Sequence, residues 1–201
     1  MKPLTLDDLL PLAEFAGRRS EFFAAHSRYL DRYRRVRVGP RLTFVFENRQ
    51  TLWFRIHELL RVARLAEPVR VRQELDWYNE LLPGRDTLQA ALFIDVSGDG
   101  SWTEQLEYWA DLAGEHLRLV VDKLSVPAEL VTCRPEDRCT GAAQWVRVAV
   151  AGGIRAALAD SRLPAWIAVD YREYRHRSQL LSAAMRSSLL GDLEPSNRRA
   201  A

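Results

Sequence analysis

Lysine is almost missing from this chain. Lys2 and Lys123 are the only two among its 29 basic side chains, so arginine supplies nearly all of the positive charge. Cysteine is equally scarce. Two thiols in 201 residues make no disulfide framework, and Cys133 and Cys139 stand six residues apart, at neither the zinc nor the redox spacing. No uncharged stretch approaches the roughly 18–20 residues that span a bilayer. The first ten residues hold Asp7 and Asp8 and no apolar run of export-leader length. These absences lead us to expect reduced thiols, no membrane association and a cytoplasmic setting. There is also no Gly-rich phosphate loop and no G-x-S-x-G elbow. His26, His57, His116 and His176 form no HxxH, HxxxH or HExxH pair, so no metal site is expected from local spacing. One assembled from distant segments would draw on His57, Glu58, Glu47 or His176.

What is present is a globular composition. Hydrophobic residues make up 47% and charged residues 28%, enough apolar side chain for a core and too much for a disordered chain. The net charge of +2 hides segregation: residues 1–85 carry 16 basic and 11 acidic groups, residues 86–144 carry 4 and 11, and residues 145–201 carry 9 and 5. An acidic middle between two basic ends argues against a continuous nucleic-acid track.

Periodicity supplies the elements. A short helix is expected from Asp7 to Phe15 with Thr5 as cap, and a longer one from Arg18 to Val36, where Phe22, His26, Tyr29, Tyr33 and Val36 share a face. Arg28, Arg32 and Arg35 flank that stripe. Leu42 to Phe46 reads as a buried strand. Asn48 caps a helix from Arg49 to Ala66, and Val69 to Leu82 forms the next. Leu88 to Val96, apolar on both faces, reads as a central strand. Ser101 and Glu104 fit a capping box for a helix over Trp102–Ala113. Leu117–Val121, Glu129–Cys133, Gln144–Val150 and Ala165–Asp170 read as strands, Ile154–Ala159 as a short helix, and Ser178 as the cap of a last helix ending near Gly191. Strands and helices mix without strict alternation. The expected fold is therefore α+β, with helices packed around a single mixed or antiparallel sheet, in one domain over 1–193 followed by a flexible basic tail, 194–201.

Candidate chemistry sits at the ends of strands. Glu47 and Arg49 lie where a strand feeds the Asn48-capped helix, and His57, Glu58 and Arg61 share a face of that helix. Such a set can hold a small anion, with Arg49 and Arg61 as clamp and Glu47 or His57 as acid–base group. Tyr174, Arg175 and His176 crowd a strand-to-helix segment and would supply a second wall. The run from Asp95 to Gly100 imitates half of a calcium loop, but Leu106 stands where the bidentate Glu belongs, so it reads as an acidic turn.

Several stretches together resemble the bacterial family catalogued as domain of unknown function 3501. They are Leu4–Leu10 (LTLDDLL), Arg35–Pro40 (RVRVGP), Phe46–Arg49 (FENR), Glu58–Arg61 (ELLR), Asp76–Asn79 (DWYN) and Tyr174–His176 (YRH), and the likeness runs from Leu4 to Leu193. Two positions depart from the pattern: His57 stands where the family has Gln, and Gln144 where it has His. The middle, Gly98 to Arg138, matches poorly. The resemblance carries no assigned reaction and no cofactor. The resemblance implies a setting in which members are often encoded beside rubrerythrin-like diiron proteins and iron–sulfur oxidoreductases. That implies an accessory or partner-binding protein in a redox or biosynthetic system, with such an oxidoreductase as partner. The alternative is an enzyme acting on a small anionic substrate through the residues above.

Overall fold

Residues 35–38 alternate Arg-Val-Arg-Val, a period-two pattern placed directly after a helical stripe. In the computed structural model, which describes residues 1–96, 101–131 and 143–193, the strand period wins. The long helix, α2 (Arg19–Tyr33), stops at Tyr33, and Arg35–Val38 forms strand β1 instead of the helix end expected there. The reason is the partner. Strand β2 (Leu42–Phe46) runs antiparallel to β1 in the register Arg35↔Val45 to Val38↔Leu42, which sends Val36 and Val38 into the core. Arg35 and Arg37 then point to the opposite face. The first expected helix is also divided. Pro11, which has no N–H to donate, separates a 3-10 turn at Leu6–Asp8 from α1 (Leu12–Gly17).

Helix α3 (Arg49–Val62) starts as the sequence indicates, with the Asn48 side chain accepting from the N–H groups of Gln50 and Thr51. Then follow α4 (Pro68–Asn79), β3 (Thr87–Ile94), α5 (Trp102–Tyr108), β4 (Leu117–Val121), β5 (Leu124–Val131), β6 (Ala143–Ala149), α6 (Gly152–Ala159) and β7 (Ala165–Tyr171). A hairpin turn with Arg172 at φ 51° leads into β8 (Tyr174–Arg177), and α7 (Ala183–Asp192) ends the described chain. Strand β8 replaces the loop expected at Tyr174–Arg177. Ser178 does not cap the last helix. Its hydroxyl accepts from Ile167 N–H and donates to Gln179 O, and Ser182 is the cap, accepting from Met185 N–H. The residues Ser97–Gly100 of the acidic turn, both cysteines and the basic tail lie outside the described residues.

The eight strands of the described residues pair antiparallel throughout in the order β1-β2-β3-β6-β5-β4-β7-β8. Strand β5 turns the corner, pairing with β4 through Pro127 and with β6 from Ala128 onward. A bridge between Val38 and Ser178 brings the far end of the sheet back to β1, so the sheet curls nearly into a barrel. Its interior holds Val36, Phe44, Phe46, Leu88, Leu92, Leu119, Val146, Val148 and Ile167, and α5, α6 and α7 extend that cluster at the ends. A second cluster (Leu52, Ile56, Leu60, Val71, Leu75) joins α3 to α4 outside the sheet. Among the described residues, no helix is long and apolar enough to cross a membrane.

A buried ion pair locks the helices to this sheet. Arg34, between α2 and β1, pairs with Asp192 of α7 and donates to Ser188 Oγ at 2.7 Å and to Tyr29 Oη at 2.8 Å. Asn48 Nδ2 donates to the same tyrosine oxygen at 2.8 Å, bringing the start of α3 into the network.

The closure has one tight point. Gly39 turns β1 into β2 with φ +64°, and a Cβ there would lie 2.6 Å from both the Tyr174 hydroxyl and the His176 ring. That hydroxyl donates to Val38 O and accepts from Arg41 N–H at 3.1 Å. Gly39→Ala is expected to destabilise the protein by more than about 1 kcal/mol, because left-handed backbone and steric overlap act together. Chemical denaturation checks this, and wild-type stability in the variant would contradict the closure described.

Candidate functional site: a basic cavity on the outer face

The sequence-predicted site residues are placed on different faces and in separate pairs. Glu47 leaves β2 with its side chain wholly buried, accepts from the Thr51 hydroxyl, and faces Arg55 Nε at 2.7 Å. His57 is satisfied on both nitrogens. Leu10 N–H can only donate, so Nε2, 3.0 Å away, accepts, and Nδ1 carries the proton toward Trp53 O at 2.7 Å. Its ring lies against Trp53 and Phe15 with centroids 4.1 and 4.7 Å apart, and burial pushes its pKa down. This histidine ties the N-terminal segment to α3.

Arg49 pairs with Asp8 at 2.5 Å, and that contact holds the Asp8 carboxyl at about 2. Arg61 and Arg19 share Glu58 at 3.0 and 2.8 Å. Burial pushes the Glu58 carboxyl up, but the two guanidiniums outweigh it and hold the pKa low. Arg175 makes an exposed pair with Asp170 at 3.0 Å, and the His176 ring packs on buried Tyr174 at 4.3 Å. The structure thus brings Arg61 to Glu58 and His176 to Tyr174. Glu47, Arg49, His57 and Arg61 do not meet with Tyr174, Arg175 and His176 around one space, and none of the seven lines the large cavity.

That cavity, about 700 Å³, lies between the outer face of β1–β3 and helices α2 and α3. The strand period builds its floor: Arg35 and Arg37 of β1, Thr43 and Val45 of β2 and Phe93 of β3 are the residues left facing out when their neighbours face in. Helix α2 contributes Phe23, His26, Ser27 and Leu30, and α3 contributes Phe54, Arg55, Glu58 and Val62. Phe23 (51% exposed) and Val62 (69%) leave the mouth open and apolar. Among the described residues, three arginines line this space against one carboxylate. Glu58 is already committed to Arg19 and Arg61, and Arg35 is paired with Asp31 outside. Arg55 lies over the Phe93 and Trp145 rings at 5.3 and 5.4 Å, its charge turned toward Glu47. Arg37 meets no carboxylate among the described residues.

His26 stacks on Phe54 with centroids 4.1 Å apart. Burial, with Arg55 and Arg35 nearby, holds its pKa down at about 4, so the imidazole is neutral near pH 7. The sequence reading placed His26 on an apolar stripe and Arg35 on a helix. The signal that could have found this cavity was the Arg-Val-Arg-Val alternation itself. Among the described residues, no group of three His, Cys, Asp or Glu side chains is placed to hold a metal ion.

Fold and cavity define a class: an α+β protein with an antiparallel, nearly closed sheet and a ligand-sized basic cavity between the sheet's outer face and two helices. The chain belongs to the family described as protein of unknown function (DUF3501), whose model matches residues 3–193. It is similar to a novel protein of unknown function from Burkholderia pseudomallei K96243, known from a crystal structure. The two share 26% identity and a TM-score of 0.85, over 96% of this chain and 100% of that one. No curated protein matches the sequence.

Two measurements check the electrostatics. Arg55→Met strands the buried Glu47 carboxylate and should lower stability by about 2–3 kcal/mol. That is less than for a wholly buried pair, because Arg55 keeps 23% exposure. Adding Glu47→Gln to that variant should recover most of the loss, and equal destabilisation by the single and double variants would refute the pairing. The second concerns pH. A histidine whose folded pKa is depressed contributes stability above its unfolded value of about 6.5, and that contribution is lost as pH falls through this range toward about 4. His26→Phe should therefore flatten the fall of Tm between pH 6.5 and 4, leaving a residual slope from His57, whose pKa is lowered in the same direction.

Proposed function

We propose that this protein binds an amphipathic organic anion in the cavity between α2, α3 and the sheet, and works as an accessory component of a cytoplasmic system. The observation that carries the reading is the pairing of an apolar chamber, built from Leu30, Val45, Phe54 and Phe93, with Arg35, Arg37 and Arg55 in its wall. Magnitudes assign the roles. Each buried methylene contributes about 0.8 kcal/mol, whereas an exposed ion pair contributes about 0–1 kcal/mol. Affinity therefore comes from the apolar chamber, and the guanidiniums fix which end of the ligand carries the charge.

The contacts of Glu47 and His57, the two candidate acid–base groups, favour binding over catalysis. His57 spends both nitrogens on backbone groups, and Glu47 faces Arg55 and Thr51. In this reading, as the resemblance to the family implies, a diiron or iron–sulfur oxidoreductase supplies the chemistry and this chain supplies binding.

Calorimetric titration with octanoate tests the reading, with 1-octanol as the uncharged control. Octanoate should bind and octanol should bind more weakly. Ser27→Trp, which fills the chamber from α2, should abolish binding without lowering Tm. Equal binding of octanol and octanoate, or full octanoate affinity in Ser27→Trp, would overturn it.

A further inference from the structure

The barrel closes at a single bridge, and the closure leaves a second opening. Strand β1 pairs along its whole length with β2, but toward the other end of the sheet, among the described residues, only Val38 meets Ser178. Beside that bridge the chain from Gln179 to Ser182 departs from β1 on its way to α7, and a seam cavity of about 500 Å³ opens between them. Its cations are Arg32 from α2, Arg35 and Arg37 from β1, and Arg177 from β8. Among the described residues they face one carboxylate, Asp31, which Arg35 already engages. Arg32 lies over the Tyr33 ring at 5.1 Å, while Arg37 and Arg177 meet no carboxylate among the described residues. Among the described residues, four arginines around one occupied carboxylate are a concentration of like charge that folding alone does not require.

Arg35 and Arg37 also line the apolar cavity, so β1 is a wall shared by both spaces. We infer that the seam cavity binds the phosphoryl group of the ligand whose apolar part occupies the neighbouring chamber, making that ligand a phosphorylated amphiphile. The inference rests on the proposed function for its apolar half. Charge selects phosphate over carboxylate: a phosphomonoester carries about −1.5 to −2 at pH 7 and offers three acceptor oxygens, which suits a space lined by several guanidinium forks. A carboxylate carries a single charge on two oxygens and leaves most of the cluster unneutralised. Arginine suits this role better than lysine, because its planar fork meets phosphate oxygens in pairs.

The test uses the whole chain and three probes: octanoate, octyl phosphate and inorganic pyrophosphate. Octyl phosphate should bind at least about tenfold more tightly than octanoate, the size of one added charge-assisted contact. Arg177→Gln, at an exposed position outside the apolar chamber, should return octyl phosphate to the affinity of octanoate and leave octanoate unchanged. Octyl phosphate binding no tighter than octanoate, or unaffected by Arg177→Gln, would overturn the inference. The two readings fail separately. If neither alkyl probe binds but pyrophosphate does, in an Arg177-dependent way, the apolar chamber reading fails and the seam takes free phosphate in place of an amphiphile. If octanoate binds and no phosphate probe responds to Arg177→Gln, the chamber stands and the seam site is refuted.

Discussion

One guanidinium organises the molecule. Arg34 is 1% exposed, and a charge so far from water is tolerable only when its donors are met. Asp192, Ser188 and Tyr29 meet them, and these partners come from opposite ends of the chain. Burial pushes the Asp192 carboxyl up while Arg34 beside it pulls the other way, so each ion depends on the other for its place in the interior. Removing either would leave a buried charge without its counterion. The pair therefore fixes where α2 ends, where α7 packs and, through Asn48 and Tyr29, where α3 begins. The apolar cavity lies between α2, α3 and the sheet, and the seam lies between α2, β1 and the start of α7. Both are spaces framed by the elements that Arg34 holds.

The second organising constraint is the two-residue period of the strands. In β1, β2 and β3, the residues that fill the sheet's interior alternate with residues that face α2 and α3. On most strands the outward set is covered or solvated. Here the outward set includes Arg35, Arg37, Thr43, Val45 and Phe93, and the covering helices do not fill the space above it. A pattern that serves the core thereby also constructs a chamber. The positive character of its wall follows from position: Arg35 and Arg37 alternate with the buried Val36 and Val38 in β1, so both arginines face outward.

Much of the element list could be read from the chain. The Asn48 cap, the Ser101 capping box, the strand over Leu42–Phe46 and the central strand around Leu88–Ile94 were legible because each is fixed by local chemistry. The errors share a cause. Residues 35–38 and 174–177 are too short and too charged to announce a strand, and each becomes one only because a neighbour offers a hydrogen-bonding edge. Ser178 looked like a cap and became a bridge for the same reason. The candidate site shows the same division. Glu47, His57 and Arg61 are reactive types at suggestive spacing, yet spacing along α3 does not say that Leu10 reaches back to His57 or that Arg19 arrives at Glu58.

By itself, then, the sequence determined the α+β class, most helix starts, the apolar content of the core strands and the membership signalled by its short motifs. Those properties depend on residues within a few positions of one another, where side-chain period and capping chemistry suffice. The tertiary structure decided the barrel-like closure, the burial of Arg34 and the conversion of an apparent helix end into β1. It also placed Arg35 and Arg37 between two cavities. These depend on contacts between residues far apart in the chain, and a charge becomes a ligand group or a structural one according to which partner folding brings to it.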